Sequence, residues 1–283
     1  MKTILSTLFA TAVFSSPWAA AEILVKSGEK IAFLGDSITQ GGWSQPSGYV
    51  RLVMEGLKAN GVEAEAVPAG ISGHKSDQML ARLEKDVLSK KPQWMTLSCG
   101  VNDVWHHARG VPLDEAMAAN GTYDANVAQR GTYKKNITEI IDRATAAGVR
   151  PVILTATVIK EDLDNDLNKK LAPFNEFLRG LAKEKQIPLA DLNAMFQEAI
   201  KAANQPGTNV YTSDGVHMNA KGNQLMAVGV LKAFGLNPEQ IAKAEAAWAP
   251  LQAEAEKVAK ERAEARRAKQ QQKKKDQPAP AKN

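Results

Sequence analysis

Four short polar segments of the chain carry residue types that act together in nucleophilic catalysis. Each combines a small or turn-forming residue with a side chain that can react, donate a hydrogen bond or carry a proton. In chain order they are Gly35-Asp36-Ser37, Ile71-Ser72-Gly73, Gly100-Val101-Asn102 and Asp214-Gly215-Val216-His217. The chemistry that this set indicates is attack of an activated serine on a carbonyl group.

Ser37 is the candidate nucleophile, and the last segment holds the groups that would activate it. A serine hydroxyl is a weak nucleophile until a base takes its proton. His217 is a suitable base because an unperturbed histidine titrates near ~6.5. Asp214 precedes His217 by three residues. In a loop, that spacing lets the carboxylate bind the other ring nitrogen and hold the tautomer.

The other segments offer hydrogen-bond donors for the oxyanion that such an attack creates. The backbone N–H groups of Ser37 and Gly73 and the side-chain amide of Asn102 would make three donors. Each residue also has a structural interpretation: Ser37 and Asn102 as helix caps, Gly73 as a turn glycine, and the Asp214–His217 segment as a turn. Their joint order and spacing favour the catalytic interpretation.

These segments need a scaffold that brings them together, and the apolar pattern predicts one. Continuous apolar runs predict strands at residues 31–34, 62–67, 94–97, 152–158 and 187–192. Helical patterns lie between or after them at residues 49–59, 76–88, 133–147, 167–184 and 219–233. Continuous runs suit parallel strands covered on both faces, and in such sheets ligands bind beyond the carboxyl ends of the strands. The first three polar segments fall at those ends.

With these residues in place, the chain resembles the SGNH/GDSL hydrolase superfamily over roughly residues 28–235. The resemblance is carried by Gly35-Asp36-Ser37-Ile38, with Ile where the name motif has Leu, by Gly73, by Gly100-x-Asn102-Asp103 and by Asp214-x-x-His217. It implies a flavodoxin-like three-layer α/β/α fold with a central parallel sheet of about five strands. One departure is His74, which follows Gly73 where many members carry Asp.

The resemblance also implies the activity and the role of each motif residue. It implies ester hydrolysis through an acyl-enzyme, with Ser37 as nucleophile, His217 as base and Asp214 as its orienting acid. The oxyanion hole would be formed by the N–H groups of Ser37 and Gly73 and by Asn102. The superfamily needs no metal and no organic cofactor, so none is expected.

Several aromatic and histidine side chains follow the motifs closely and are candidates for substrate binding. Aromatic and polar rings at the rim of a cleft suit a carbohydrate, although half-buried packing residues would give the same pattern. The candidates are Trp43, His74, Trp105, His106 and Tyr211. Residues 105–130, a long segment interrupted by Gly110, Pro112 and Gly121, are expected to form a lid or rim over the site.

The charge of the chain is divided unevenly. The 283 residues carry a net charge of +5. Residues 249–283 contain ten Lys or Arg and five Asp or Glu, whereas residues 22–248 contain 25 and 26. The near-neutral body gives no indication of nucleic-acid binding. The single cysteine, Cys99, excludes an intrachain disulfide and a multi-cysteine metal site.

The two ends of the chain differ from its body. Residues 1–21 have the basic, apolar and small-residue regions of a signal peptide, with cleavage expected after Ala21 and a periplasmic or secreted product. Residues 22–236 are the predicted catalytic domain. Residues 237–272 are predicted to form a charged C-terminal helical extension, and residues 273–283 a disordered basic tail. That tail allows weak contact with an anionic envelope, although a solvated charge run is the favoured interpretation.

The function that this sequence favours is a serine esterase for short-chain acetyl esters on carbohydrates. A lipase-like or lysophospholipid esterase is the alternative within catalysis. A non-catalytic scaffold that binds the envelope through its basic C-terminal helix is the alternative of another class. The complete set of motif residues weighs against the scaffold.

Overall fold

The computed structural model describes residues 22–275. The predicted signal peptide at residues 1–21 and the last part of the predicted tail, residues 276–283, lie outside the described residues. Within the described part, no helix combines the length and the apolar character that a membrane span requires.

Five parallel strands form the central sheet, in the order β2-β1-β3-β4-β5. The strands are β1 (Lys30–Gly35), β2 (Glu65–Gly70), β3 (Trp94–Ser98), β4 (Arg150–Leu154) and β5 (Leu189–Ala190). The chain moves from β1 to one side of the sheet and then returns across β1 to β3. That reversal opens a crevice at the carboxyl ends of β1 and β3, where open α/β sheets bind ligands.

Helices cover the sheet on both faces, which confirms the flavodoxin-like α/β/α fold. Helices α2, α10 and α11 contact one another in one layer, and α3, α7 and α8 in the other. The helices are α1 (Ser37–Ser44), α2 (Tyr49–Ala59), α3 (Ser76–Asp86), α4 (Val101–Trp105), α5 (Glu115–Ala118), α6 (Val127–Arg130), α7 (Tyr133–Ala146), α8 (Asp166–Glu184), α9 (Leu192–Ala203), α10 (Ala220–Ala233), α11 (Pro238–Ala247) and α12 (Ala249–Lys275).

The second strand lies three residues later than predicted: the apolar run at residues 62–67 stops at Pro68, whereas β2 continues through this proline to Gly70. Strand β2 is an edge strand that pairs only with β1. The N–H groups of Glu65 and Ile71 donate to β1, so the odd-numbered residues face it. Pro68 has the opposite orientation and its missing N–H removes no ladder bond, which is how edge strands accommodate proline.

The fourth strand ends earlier than predicted, because side chains take over its backbone hydrogen bonds. Asn175 accepts from the Ala156 N–H at 2.8 Å and donates to the Ala156 carbonyl at 3.0 Å. Asn193 in the same way donates to the Thr157 carbonyl at 2.6 Å. Residues 155–159 are therefore buried without belonging to the sheet. Asn193 lies on α9, a helix that the sequence pattern did not predict.

The predicted helix at residues 237–272 is divided into two. Helix α11 packs on α2, and Trp248 at its end is buried, with its indole N–H donating to the Leu52 carbonyl at 2.8 Å. Pro250 lies in the first turn of α12, where a missing N–H costs no helical bond. Helix α12 then continues through Lys275, three residues into the predicted disordered tail.

Candidate active site

Ser37 is the first residue of α1 and lies directly beyond the carboxyl end of β1. Asp36 caps this helix, and its carboxylate accepts from the Ile38 N–H at 2.9 Å. A side chain at position 35 would meet the Thr39 hydroxyl at 2.0 Å, so the tight strand-to-helix turn requires Gly35. The Ser37 N–H has no acceptor among residues 22–275 and remains available to a ligand.

Ser37, His217 and Asp214 form a continuous hydrogen-bonded chain. The Oγ atom of Ser37 lies 2.9 Å from Nε2 of His217, and Nδ1 of His217 lies 2.7 Å from Oδ2 of Asp214. The other Asp214 oxygen accepts from the His217 N–H at 2.8 Å. Partial burial raises the pKa of Asp214, but hydrogen bonds from His217 outweigh it and hold that pKa below its ordinary value.

The loop that carries Asp214 and His217 is fixed by Glu161, which the sequence did not single out. The Glu161 carboxylate accepts from the backbone N–H groups of Val210, Tyr211 and Thr212 at 2.7 to 2.9 Å and from the Thr212 hydroxyl at 2.7 Å. Next to it, the Lys160 N–H donates to the Gly215 carbonyl at 2.6 Å. Since these contacts join segments about fifty residues apart, no local motif could have identified Glu161.

The two other candidate oxyanion donors lie at the same edge of the sheet. Gly73 has φ of +76° in the turn after β2, and its N–H has no acceptor in the described part of the chain. Asn102 is buried on α4, and its Nδ2 atom lies 3.2 Å from an Asp36 oxygen and 3.1 Å from the His74 carbonyl. Because the amide has two N–H groups, a substrate oxygen would bind there by replacing one of these two acceptors or by sharing its N–H.

Two buried carboxyl groups, those of Asp36 and Asp103, accept hydrogen bonds from the segments that carry or adjoin these donors. Burial raises the pKa of Asp36 and of Asp103 to about 6 in each case. Asp103 accepts from the Ser76 N–H at 3.0 Å and from the Ser76 hydroxyl at 2.6 Å, which ties α4 to the start of α3. Both acids stand inside the quoted motifs, but the sequence did not reveal that they serve as internal acceptors.

The predicted rim residues separate into two groups. Trp105 is 36% exposed, and its ring lies 6.4 Å from that of His217 and 6.4 Å from that of His106. His74 joins the site through its backbone carbonyl, which accepts from Asn102.

Trp43 and Tyr211 are not brought to the Ser37–His217 pair. Trp43 stacks under the Arg51 guanidinium, 5.7 Å from its ring centre, in a surface groove on α2. Tyr211 packs edge-on against Phe196 at 6.1 Å, and its hydroxyl donates to the Ala199 carbonyl at 3.4 Å. Both side chains contact helices rather than the candidate site.

Residues 105–130 form short helices held together by polar contacts within the segment and joined to α7 by an ion pair. Arg130 pairs with Asp124 at 2.9 Å and donates to the Ala108 carbonyl at 3.2 Å. The Asp124 N–H donates to the same carbonyl at 3.0 Å. Lys134 on α7 pairs with Asp114 at 2.8 Å. This segment is a structured rim with Trp105 at its start.

The described residues suggest no metal centre and no reactive thiol. Within residues 22–275, no group of three or more His, Cys, Asp or Glu side chains is arranged to hold a metal ion. Cys99 is buried, and burial raises the pKa of its thiol well above its ordinary value. The arrangement can therefore generate one nucleophile, the Ser37 hydroxyl, and can present unpaired N–H groups to an oxyanion beside it.

Comparison with known proteins gives a consistent result. Residues 33–225 match the GDSL-like Lipase/Acylhydrolase family. An acetylxylan esterase of Geobacillus stearothermophilus is 26% identical over 223 residues, which are 75% of this chain and 96% of that enzyme. An uncharacterized lipoprotein of Bacillus subtilis (strain 168) is 21% identical over 230 residues, 71% of this chain and 88% of that relative.

Solved structures show the same fold. The acetyl xylan esterase AlAXEase is 30% identical, with a TM-score of 0.60 over 72% of this chain and 98% of its own. The Geobacillus stearothermophilus acetylxylan esterase superposes with a TM-score of 0.60 at 24% identity, over 76% of this chain and 97% of its own. Structures of that enzyme include catalytic mutants in which a serine, an aspartate or a histidine is replaced by alanine.

Proposed function

The chain belongs to the GDSL-like lipase/acylhydrolase family, and from that premise we propose that this ester hydrolase removes acetyl groups from a carbohydrate through an acetyl-serine intermediate. The observation that carries the proposal is the hydrogen-bonded chain from Ser37 Oγ through His217 to Asp214, with distances of 2.9 and 2.7 Å. That chain ends beside backbone N–H groups that have no acceptor among residues 22–275.

In the first half of the reaction, Nε2 of His217 takes the proton of Ser37 as Oγ bonds to the acetyl carbonyl carbon. Asp214 holds the proton on Nδ1, so that Nε2 is the free acceptor. The N–H groups of Ser37 and Gly73 and the Asn102 amide stabilise the resulting oxyanion. When the intermediate collapses, the His217 imidazolium gives its proton to the sugar oxygen, and the alcohol leaves.

In the second half, a water molecule attacks the acetyl-serine. His217 accepts a proton from that water as its oxygen bonds to the carbonyl carbon, and the same donors stabilise the second oxyanion. Collapse breaks the bond to Ser37 Oγ, which recovers its proton from His217. Acetate leaves, and the enzyme returns to its starting state.

Acetylated carbohydrate is the substrate class that the comparisons favour. Two relatives that match most of their own length with this chain are acetylxylan esterases. The position of Trp105, half-exposed at 6.4 Å from His217, supports this choice, since an aromatic face suits the apolar face of a sugar ring. The proposed location is extracytoplasmic, on the basis of the sequence of residues 1–21 and the Bacillus subtilis lipoprotein relative.

The test is hydrolysis of nitrophenyl acetate, butyrate, octanoate and laurate, followed by acetate release from acetylated xylan. Ser37→Ala is the control for the nucleophile. We expect turnover that is greatest on acetate, is lost in Ser37→Ala and extends to acetylated xylan. Preference for octanoate and laurate would instead favour a lipase-like enzyme. Equal rates for wild type and Ser37→Ala on every ester would contradict the serine mechanism and favour a binding scaffold.

A further inference from the structure

Helix α12 begins on the body of the protein and then leaves it. Its 27 residues, Ala249–Lys275, span ~40 Å at the rise of an α-helix. Leu251 packs beside Trp43 and Met54. Residues 252–259 then pass over the loop at residues 45–47 and over the first turns of α10.

The direction of α12 takes it to the edge of the sheet that holds the candidate active site. Helix α10 begins at Ala220, three residues after His217, and the loop at residues 45–47 follows the helix that begins at Ser37. The start of α10 and the loop at residues 45–47 both lie at the carboxyl ends of the strands. Residues 260–275, which we call the basic arm, continue beyond the loop at residues 45–47 and the start of α10 for another ~24 Å.

The basic arm carries a strong net positive charge, which the rest of the described chain does not. It contains eight Lys or Arg and two Glu, a net charge of +6, whereas residues 22–259 have a net charge of −2. Every side chain of the basic arm that the structure describes is exposed. Like charges gathered on one projecting helix repel each other, and an anionic partner relieves that repulsion.

The composition of the basic arm favours a soluble polyanion over a lipid bilayer. Its apolar residues are three alanines, at positions 263, 265 and 268. Amphipathic helices that lie in a membrane surface bury large apolar side chains along one face. The basic arm has no such side chain, so its attraction to a partner is electrostatic.

The rim of the candidate active site also carries positive charge. Lys75 follows the turn that holds Gly73 and His74, and Arg109 is exposed in the segment that begins at Trp105. A polyanion that reaches from the basic arm toward Ser37 therefore meets cations at both ends of its path.

We propose that the basic arm binds an anionic polysaccharide and delivers its acetyl esters to Ser37. This inference rests on the proposed carbohydrate acetylesterase function, and it names the charge of the polymer and the element that holds it. Binding by the basic arm raises the local concentration of esters at the site without altering the chemical step. The effect is screened by salt, because the contacts are between exposed charges.

The test compares the wild-type chain with a variant in which Arg262, Arg266, Arg267 and Lys269 are replaced by Gln. A matched control replaces four exposed lysines on other parts of the surface by Gln: Lys85, Lys90, Lys183 and Lys201. The probes are O-acetylated polygalacturonate, acetylated neutral xylan and nitrophenyl acetate. Affinity electrophoresis through unacetylated polygalacturonate measures binding independently of catalysis.

We expect the arm variant to raise KM for acetylated polygalacturonate by about tenfold at low salt. The difference should vanish in about 0.5 M sodium chloride. The control variant should match wild type on every probe, and turnover of nitrophenyl acetate should be unchanged in both variants. Retardation by polygalacturonate should be lost only in the arm variant.

Three outcomes overturn part or all of the proposal. If KM for acetylated polygalacturonate is unchanged in the arm variant, or rises equally in the control variant, the basic arm is not the binding element. Binding of wild type to vesicles of phosphatidylglycerol but not to polygalacturonate assigns the basic arm to a membrane instead. In the third outcome, wild type is retarded through the basic arm yet releases no acetate from any polymer. That result would support the polyanion-binding site and contradict the carbohydrate acetylesterase function.

Discussion

The Asn102 side chain joins the nucleophile turn to the turn after β2. Its Nδ2 atom faces both the Asp36 carboxylate and the His74 carbonyl, at 3.2 and 3.1 Å. It therefore orients the two turns whose N–H groups are the other candidate donors. When a substrate is bound, this amide can give one N–H to the oxyanion while the other N–H still holds one of the two turns.

Replacing Asn102 by Ala should lower kcat on nitrophenyl acetate by about 10²–10³, because one oxyanion donor is lost. The circular dichroism spectrum should remain that of the wild type. Asn120→Ala, on an exposed loop, is the matched control and should keep full turnover. Unchanged kcat in Asn102→Ala would remove this residue from the mechanism.

The buried acid Asp103 should make stability depend on pH in an unusual direction. Its pKa is raised by burial from 3.8 to about 6, so the folded state holds its proton more tightly than the unfolded state. Its contribution to stability is complete below pH 3.8 and is lost as pH rises through about 6. Ionisation in the folded protein therefore destabilises it above that pH.

The free energy of unfolding of Asp103→Asn, relative to wild type, should accordingly rise by roughly 1 to 3 kcal/mol between pH 4 and pH 8. Urea unfolding at several pH values measures this difference. Asp166→Asn, at a fully exposed position, should show no comparable trend. A difference that is constant with pH would show that Asp103 has the same pKa in both states.

At the scale of elements, the candidate site depends on hydrogen bonds between two loops. Residues 155–161 follow β4, and residues 210–217 carry the Asp214–His217 pair. Glu161 joins them through four hydrogen bonds, and Lys160 adds a fifth to the Gly215 carbonyl. The position of His217 opposite Ser37 is thus fixed by the loop after β4 as much as by its own sequence.

Glu161→Gln should lower kcat by about tenfold or more, since the new NH₂ group must face a backbone N–H in place of an acceptor. Glu161 is a positioning residue, so KM for nitrophenyl acetate should change less than kcat. Glu184→Gln, at an exposed position, is the control. Wild-type kcat in Glu161→Gln, or equal loss in both variants, would contradict this role.

At the scale of the whole molecule, α11 belongs to the folded body, whereas most of α12 extends away from it. Ile241, Ala244 and Trp248 are buried with the core residues of α2 and α10. Asn60 at the end of α2 donates to the Gln240 carbonyl at 2.9 Å. A cut at residue 236, the predicted domain boundary, would therefore expose a core face.

Trp248→Ala should lower the free energy of unfolding by about 3–5 kcal/mol, because it removes a large side chain that is 1% exposed. Trp43→Ala, at a position 38% exposed, should cost less than half as much. Thermal and urea unfolding of the two variants give the comparison. Similar losses in both would place α11 outside the cooperative core.

The sequence by itself determined the fold class and the set of motif residues. Continuous apolar runs ending in glycine and polar residues define parallel strands, and the signal is local because burial on both faces forces every residue of a strand to be apolar. All five predicted helices start within one residue of those observed, and three of them start at the same residue. The motifs at the strand ends follow from the topology of such a sheet.

Tertiary structure alone decided which side chains meet. Trp105 lies beside His217 whereas Trp43 and Tyr211 pack against helices, although all three stand close to a motif in sequence. The hydrogen bonds between Glu161 and residues 210–212 likewise join partners far apart along the chain. The division of residues 237–272 into α11 and α12 also depends on distant partners. Contacts of this kind are set by how elements pack, and no short window of sequence contains both partners.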